Sequence, residues 1–177
     1  MKKIGCFLVF VFILTYSPAF AKDITLFGGI QNQGKITLRS AAQGASSFAF
    51  DPKNFGVFGF RFGIGKKVFG SESTFAYNPN FIDTNTKAFI LNQNLMVQAP
   101  TPGVRPYATA GVGTFITKGA GLTDIGQKFA LNYGGGLKVT LAGPVGGRFD
   151  VRGYMIPSIQ NQSLNVLEVT LGVVFTF

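Results

Sequence analysis

Apolar and polar residues alternate with a period of two in eight separate stretches of the chain. The alternation is sharpest over residues 54–64, where Phe58, Phe60 and Phe62 fall on one face and Arg61 falls on the other. Because successive side chains of a β-strand point to opposite faces, this period predicts strands with one apolar and one polar face. The predicted strands are residues 23–31, 54–64, 68–78, 86–98, 105–116, 128–141, 148–155 and 164–177.

The segments between these strands are of two alternating kinds. Three are compact turns rich in glycine, proline or lysine, at residues 65–67, 99–103 and 142–146. Four are looser polar segments, at residues 31–53, 79–85, 117–127 and 157–163. Short periplasmic turns and longer outer loops are typical of barrels that cross the outer membrane. The predicted fold class is therefore all-β, an eight-stranded antiparallel up-and-down transmembrane barrel with both termini on the periplasmic side.

Composition decides which face of the barrel points outward, because a soluble barrel such as a lipocalin shows the same alternation with its apolar face inside. Charged residues make up only 13% of the chain, against about 25% in an ordinary soluble domain. The polar face consists mostly of glycine, alanine, threonine and asparagine, whereas a face in bulk water is about a quarter to a third charged. We therefore expect the polar face to line the interior and the apolar face to meet lipid.

Charged residues on the polar face are predicted to form a network in the barrel interior, or lumen. Buried charges persist only when paired and hydrogen-bonded, so ion pairs should link the strands, with Asp150 and Glu168 each shared among arginines. The interior of an eight-stranded barrel has room for little but side chains, which favours a polar plug over an anion-preferring pore. The predicted network comprises Arg61, Glu72, Arg105, Lys138, Arg148, Asp150, Arg152 and Glu168.

The first 21 residues have the features of a cleaved signal peptide. Lys2 and Lys3 precede an apolar run over residues 4–14, and Ala19 and Ala21 occupy the two positions that a signal peptidase reads. The apolar run is too short for a membrane-spanning helix, which needs about 20 residues. The sequence thus predicts a signal peptide, residues 1–21, and one exported barrel domain, residues 22–177.

The residue inventory limits the chemistry that the chain can perform. It contains no histidine, and its one cysteine, Cys6, lies in the predicted signal peptide. Ser-His-Asp and Cys-His catalysis and metal sites of imidazole or thiolate are therefore excluded, and we expect no enzyme activity, no cofactor and no metal. Asp83 and Asp124 could form an acidic pair in the outer loops, but solvated loop charges are far commoner. The net charge is +9, yet the basic residues are scattered, which argues against nucleic acid as a partner.

Residues 105–113 (RPYATAGVG), 132–138 and 148–154, with the terminal Phe-Thr-Phe, carry a family likeness. In order and spacing they resemble the small eight-stranded outer-membrane barrels, the OmpA-like and OmpX-like domain family. The resemblance implies a location in the outer membrane and a last strand that the barrel-assembly machinery reads. The residues of that assembly signal are Leu171, Val173, Phe175 and Phe177.

Members of this family serve as structural proteins, adhesins or weak pores, so the fold does not fix a function. We expect a monomeric, non-enzymatic barrel that supports envelope integrity and presents its loops outward. A narrow porin-like channel with a basic lumen is one alternative, and a surface adhesin acting through the first outer loop, residues 31–53, is another. The expected partners are outer-membrane lipids, lipopolysaccharide, the barrel-assembly machinery and a host or surface ligand. Basic residues near the outer rim that could engage lipopolysaccharide phosphates are Lys35, Arg39, Lys53, Lys118 and Lys128.

Overall fold

The computed structural model describes residues 21–34, 36–39, 47–50, 54–81, 86–119, 126–159 and 162–177. The regular structure in these ranges is all β-strand, and no helix in them is long and apolar enough to cross a membrane. The strands are β1 (Ala21–Gln33), β2 (Ile36–Arg39), β3 (Ser47–Phe50), β4 (Asn54–Gly65), β5 (Phe69–Asn78), β6 (Lys87–Gln98), β7 (Val104–Lys118), β8 (Gln127–Ala142), β9 (Val145–Ile159) and β10 (Gln162–Thr176).

Eight of these strands close into one antiparallel barrel. Around the wall the order is β1, β10, β9, β8, β7, β6, β5 and β4, and β4 pairs with β1 again. On β1, Ile24 lies opposite Phe175 of β10 on one side and opposite Phe62 of β4 on the other. Closure leaves no edge strand with unpaired backbone groups, which is the condition for a sheet in lipid. The predicted up-and-down barrel is confirmed.

The two faces of the wall differ in the direction that composition predicted. Outward-facing Leu95 and Leu171 are 75% and 67% exposed, whereas inward-facing Arg61 and Glu168 are 0% exposed. The apolar residues therefore form the outer surface and the charged residues fill the lumen. An outer band of this kind matches the lipid-facing surface of a membrane barrel.

The two ends of the barrel differ in their connections. At one end β4 joins β5 through residues 66–68, and the Lys66 N–H donates to the Phe69 carbonyl at 2.9 Å. Gly103 and Gly143, in the β6–β7 and β8–β9 turns, have left-handed φ angles of 76° and 54° that favour glycine. The Phe177 N–H donates to the Lys22 carbonyl at 2.8 Å, so the start of β1 and the end of β10 lie beside these short turns. We call this the turn end and the opposite one the loop end.

The last outer connection is shorter than the sequence predicted. Residues 157–163 were expected to be a loop, but β9 continues to Ile159 and β10 begins at Gln162. Ile156 and Leu164 lie opposite each other in this hairpin, and both are buried. Their burial explains why the ladder continues through a polar stretch of sequence.

The first outer connection also differs from the prediction. Residues 31–33 belong to β1 rather than to a loop, and β2 and β3 form a separate two-stranded sheet in which Ile36 lies opposite Phe50. Ala21 lies opposite Gly65 as the first residue of β1. The rest of the predicted signal peptide, including Ala19, lies outside the described residues, as do Asp83 and Asp124.

Candidate functional site: a charge network in the lumen

The candidate site is a cluster of charged side chains in the lumen, which we call the lumen network. β9 supplies three of its members at alternate positions, Arg148, Asp150 and Arg152, so all three point inward. Each ionised side chain of the cluster is at most 1% exposed. The members from other strands are Arg61 of β4, Glu72 of β5 and Glu168 of β10.

Asp150 is the centre of the lumen network because three arginines converge on its carboxylate. Its Oδ2 lies 2.8 Å from Arg61 Nη1 and 2.8 Å from Arg148 Nε, and its Oδ1 lies 2.9 Å from Arg152 Nη2. The Tyr107 hydroxyl donates a further hydrogen bond to Oδ1. One buried carboxylate thus compensates charges from two strands, as the sequence led us to expect for this residue.

Glu72, rather than Glu168, is the second carboxylate that arginines share. Glu72 lies 2.5 Å from Arg148 Nη1 and 2.6 Å from Arg152 Nη2. Glu168 forms one described ion pair, 2.8 Å from Arg61 Nη2. The expectation that several arginines share Glu168 is therefore not met. Arg152 lies directly opposite Glu168 on β9, but its guanidinium pairs with Glu72 and Asp150 instead.

Neutral side chains complete the environment of Glu168. Gln31 Nε2 donates to Glu168 Oε2 at 2.7 Å, and the Tyr154 hydroxyl donates to the same oxygen at 3.3 Å. Asn78 Nδ2 donates in turn to Gln31 Oε1 at 2.8 Å. Gln31, which the sequence placed at the boundary between the first strand and the first outer loop, is therefore a buried link between the charged cluster and β5.

A second ion pair lies towards the turn end of the lumen. Lys138 Nζ of β8 is 2.7 Å from Asp23 Oδ2 of β1. Sequence reasoning placed Lys138 in the lumen but missed Asp23, although Asp23 shares its face with the inward-pointing Thr25. The period-two rule, applied to the first residue of the predicted strand 23–31, would have found it.

Arg105 does not belong to the lumen network. It lies next to the start of β7, where its side chain is partly exposed, and it makes no ion pair with any described residue. The prediction that it pairs inside the lumen is wrong because alternation gives the face of a residue but not its height in the barrel. The charges buried or nearly buried in the described lumen therefore balance. They are the basic Arg61, Lys138, Arg148 and Arg152 and the acidic Asp23, Glu72, Asp150 and Glu168.

Glycines on the inner face of β8 make room for the large side chains of the network. A Cβ atom on Gly136 would lie 2.6 Å from the Tyr107 hydroxyl, and one on Gly134 would lie 3.0 Å from Cγ of Arg152. The nearest atoms to the two Cβ positions are the backbone carbonyl oxygens of Val151 and Phe149, so the inner face of β8 packs tightly against β9 as well as against the network side chains. Close packing therefore explains the Gly134–Gly136 run.

An apolar layer covers the network towards the loop end. Phe81, which follows β5, turns inward, and its ring lies 5.4 Å from that of Phe115, which lies 5.4 Å from that of Tyr154. The Phe81 N–H donates to the Thr86 carbonyl at 2.6 Å, which helps to hold Phe81 in place. The sequence did not predict this layer, because Phe81 lies outside the periodic strands. Its other members include Val57, Ile90, Ile156, Leu164 and Val166, all buried.

The arrangement offers little for catalysis or metal binding. The carboxylates of Glu72, Asp150 and Glu168 are engaged by arginines, and apolar side chains lie above them. Within the part of the chain that the structure describes, no group of three or more metal-ligating His, Cys, Asp and Glu side chains is found. What the lumen network can do chemically is hold β4, β5, β9 and β10 together through buried ion pairs.

The chain belongs to a known family of membrane barrels. Residues 8–177 match the family model described as the outer membrane protein beta-barrel domain. The protein is therefore an outer-membrane β-barrel protein, and its location is the cell outer membrane. Both the family type and the location were predicted from the sequence, and both are confirmed. No curated protein sequence matches the chain.

Solved structures share the barrel at low sequence identity. Neisserial surface protein A matches with a TM-score of 0.69 and 12% identity over 89% of this chain and 99% of that one. OprG of Pseudomonas aeruginosa matches with a TM-score of 0.60 and 13% identity over 89% and 97% of the two chains. Ail, the attachment invasion locus protein of Yersinia pestis, matches with a TM-score of 0.54 and 14% identity over 89% of this chain and 99% of that one. An outer membrane enzyme, PagL, also shares the fold, with a TM-score of 0.50 and 12% identity over 85% of this chain and 97% of that one. The fold alone therefore does not define a role.

Proposed function

We propose that this protein is a non-catalytic, monomeric outer-membrane barrel whose lumen is a closed structural plug and whose role is to support envelope integrity. The observation that carries the proposal is the balance of the lumen charges, four basic against four acidic, beneath an apolar layer. A pore that prefers anions needs an excess of basic groups along a wet path. The described lumen has neither feature, which favours the plug over the narrow basic channel.

The absence of catalysis is part of the same proposal. The whole sequence lacks histidine, and the buried carboxylates are held by arginines rather than placed in an open pocket. An enzyme needs an acid, base or nucleophile that can reach a substrate. The likeness to PagL concerns the fold only and supplies no such group.

Conductance in planar bilayers tests the plug. The protein extracted from outer membranes should insert without producing stable current steps. An Arg148→Ala, Arg152→Ala double variant removes two arginines from Asp150 and Glu72 and should give steps that favour cations, because two negative charges then line the space. Stable anion-selective steps from the unaltered protein would overturn the plug, and a deletion strain with normal resistance to detergents would overturn the envelope role.

A second candidate, surface attachment, is favoured by the separate β2–β3 sheet. This sheet is not part of the barrel wall, so membrane spanning does not explain its order. Removing residues 36–50 should abolish binding to a host or abiotic surface while the barrel still folds, if attachment is the role. Unchanged surface binding would exclude the first outer connection as an adhesive element.

Lipopolysaccharide is proposed as a partner at the loop end. Lys87 of β6 and Lys118 of β7 lie directly opposite each other, and both are exposed on the outer face. Like charges in directly opposed positions repel, and an anion between them relieves the repulsion. A Lys87→Gln, Lys118→Gln variant should therefore retain less lipopolysaccharide after purification than the unaltered protein, and equal retention would contradict this assignment.

A further inference from the structure

A groove of about 1010 Å³ lies at the turn end of the barrel, between the β4–β5 and β6–β7 turns. In an outer-membrane barrel the short turns are on the periplasmic side, so we call it the periplasmic groove. Lys66, Lys67 and Arg105 line it with positive charge, and Val68, Phe69 and Pro102 line it with apolar surface. The groove therefore offers a basic and an apolar surface, which complement the anionic group and the hydrocarbon of an amphiphilic ligand.

Hydrogen bonds between the two turns fix the shape of the groove. The Gln98 N–H donates to the Val68 carbonyl at 2.8 Å, and its side-chain Nε2 donates to the Lys66 carbonyl at 3.4 Å. Within the second turn, the Thr101 hydroxyl donates to the Val104 carbonyl at 2.5 Å. A preformed groove binds a ligand with a smaller entropy cost than a groove that must first be ordered.

The positive charge of the groove is not balanced by nearby acidic residues. The acidic residues of the chain are Asp23, Asp51, Glu72, Asp83, Asp124, Asp150 and Glu168, and none belongs to either turn. Two acidic residues lie nearby in the wall: Asp23 is held by Lys138, and Glu72 is held by Arg148 and Arg152. Arg105 is partly exposed at the groove and makes no ion pair with the described residues, which leaves its planar guanidinium available for a phosphate.

The apolar side of the groove continues into the lipid-facing wall. Phe69 is 71% exposed and lies directly opposite Val97, which is 48% exposed and faces the same way. A ligand whose charged group sits at the lysines can therefore lay hydrocarbon along these two side chains. A soluble anion would not contact this apolar surface, whereas an amphiphilic ligand would contact both the basic and the apolar side of the groove.

We propose that the periplasmic groove binds an anionic phospholipid of the inner leaflet of the outer membrane, with its phosphate against Lys67 and Arg105 and its acyl chains along Phe69 and Val97. The third turn, between β8 and β9, contains no basic residue over 142–146. Binding is therefore confined to one side of the barrel. This localises the bound lipid beside β5 and β6 rather than as a ring around the whole periplasmic rim.

Native mass spectrometry of the protein purified from outer membranes tests the proposal, with phosphatidylglycerol and phosphatidylcholine as the probes. The test variant is Lys67→Gln, Arg105→Gln, and the control is Lys22→Gln, which removes an exposed positive charge at the turn end of the barrel but outside the groove. We expect the test variant to need about tenfold more phosphatidylglycerol for equal occupancy, because each basic residue at a membrane surface contributes to binding anionic lipid. The control should bind like the unaltered protein.

Three results would overturn the proposal. They are equal phosphatidylglycerol binding by the test variant, equal binding of phosphatidylcholine by the unaltered protein, and displacement of the lipid by excess inorganic phosphate, which would indicate a soluble anion instead. A Phe69→Ala variant should weaken lipid binding without changing inorganic phosphate binding. Heat-modifiable mobility on gels shows that each variant is folded before it is compared.

Discussion

Lys138 and Asp23 meet across the lumen, with Nζ and Oδ2 2.7 Å apart, although β9 and β10 separate their strands in the wall. The Lys138 side chain is 4% exposed and that of Asp23 is 17% exposed. Because the pair spans the interior rather than two adjacent strands, it fixes the distance between opposite parts of the barrel. It also supplies the carboxylate that makes the described lumen neutral.

Breaking this pair should destabilise the barrel more than removing it. A Lys138→Met variant leaves Asp23 without its partner and should lower the free energy of unfolding by about 3 kcal/mol, the lower end of the range for broken buried pairs, since Asp23 keeps some contact with solvent. The double variant Lys138→Met, Asp23→Leu should recover part of that loss. Urea unfolding in detergent micelles measures both. Strictly additive effects of the two substitutions would show that the residues are not coupled.

Loss of Asp150 should be the most damaging single change in the lumen. Asp150→Ala leaves three arginines without their shared carboxylate and should cost at least about 3 to 5 kcal/mol in unfolding free energy. Val151→Ala, one position along β9 on the lipid-facing surface, is the matched control and should cost much less because Val151 is 38% exposed. Glu168→Ala should cost less than Asp150→Ala, because Glu168 forms an ion pair with Arg61 alone among the described residues. An unfolding midpoint for Asp150→Ala equal to that of the control would show that the network does not stabilise the fold.

The close approach of β8 to the network predicts a strong effect of one methyl group. Gly136→Ala would place Cβ against the Phe149 backbone carbonyl of β9 and 2.6 Å from the Tyr107 hydroxyl. It should cost about 3 kcal/mol, the upper end of the usual range for overpacking, because the backbone must shift. At Gly147, no atom lies within 4 Å of the added Cβ, so Gly147→Ala should change stability by no more than about 0.5 kcal/mol. The two variants are compared by the same urea titration. Equal losses of unfolding free energy in the two variants would mean that packing does not require glycine at position 136.

The apolar layer and the charged layer should close the lumen independently. Phe81→Ala removes a ring that is 1% exposed and should cost about 3 kcal/mol through the cavity it leaves. It should nevertheless produce no current steps in planar bilayers, because the ion pairs below it remain. Current steps from this variant alone would show that the aromatic layer, rather than the lumen network, is the barrier.

Period-two alternation predicted the wall of this barrel well because it reports directly which side of a strand faces lipid. It placed Arg61, Glu72 and Asp150 in the lumen correctly, since each lies well inside a strand. It failed near strand ends, where a residue on the inner face can still reach solvent, as Arg105 does. Phe81 was beyond its reach because its position depends on a ring contact with Phe115 and not on a periodic stretch of sequence. β2 and β3 were missed because each has only four residues, too few for an alternation to stand out.

The last strand allows the assembly signal to be separated from ordinary lipid contact. Phe177 is 76% exposed and Leu141, at the same end of the barrel on β8, is 69% exposed, so replacing either by Ser removes a similar contact with lipid. If the barrel-assembly machinery reads the last strand, Phe177→Ser should slow insertion in cells while leaving the unfolding midpoint of the purified protein close to that of Leu141→Ser. Pulse-chase labelling with heat-modifiable mobility as the readout measures insertion. Equal insertion rates for the two variants would mean that the terminal aromatic residue acts only as one more lipid-facing side chain.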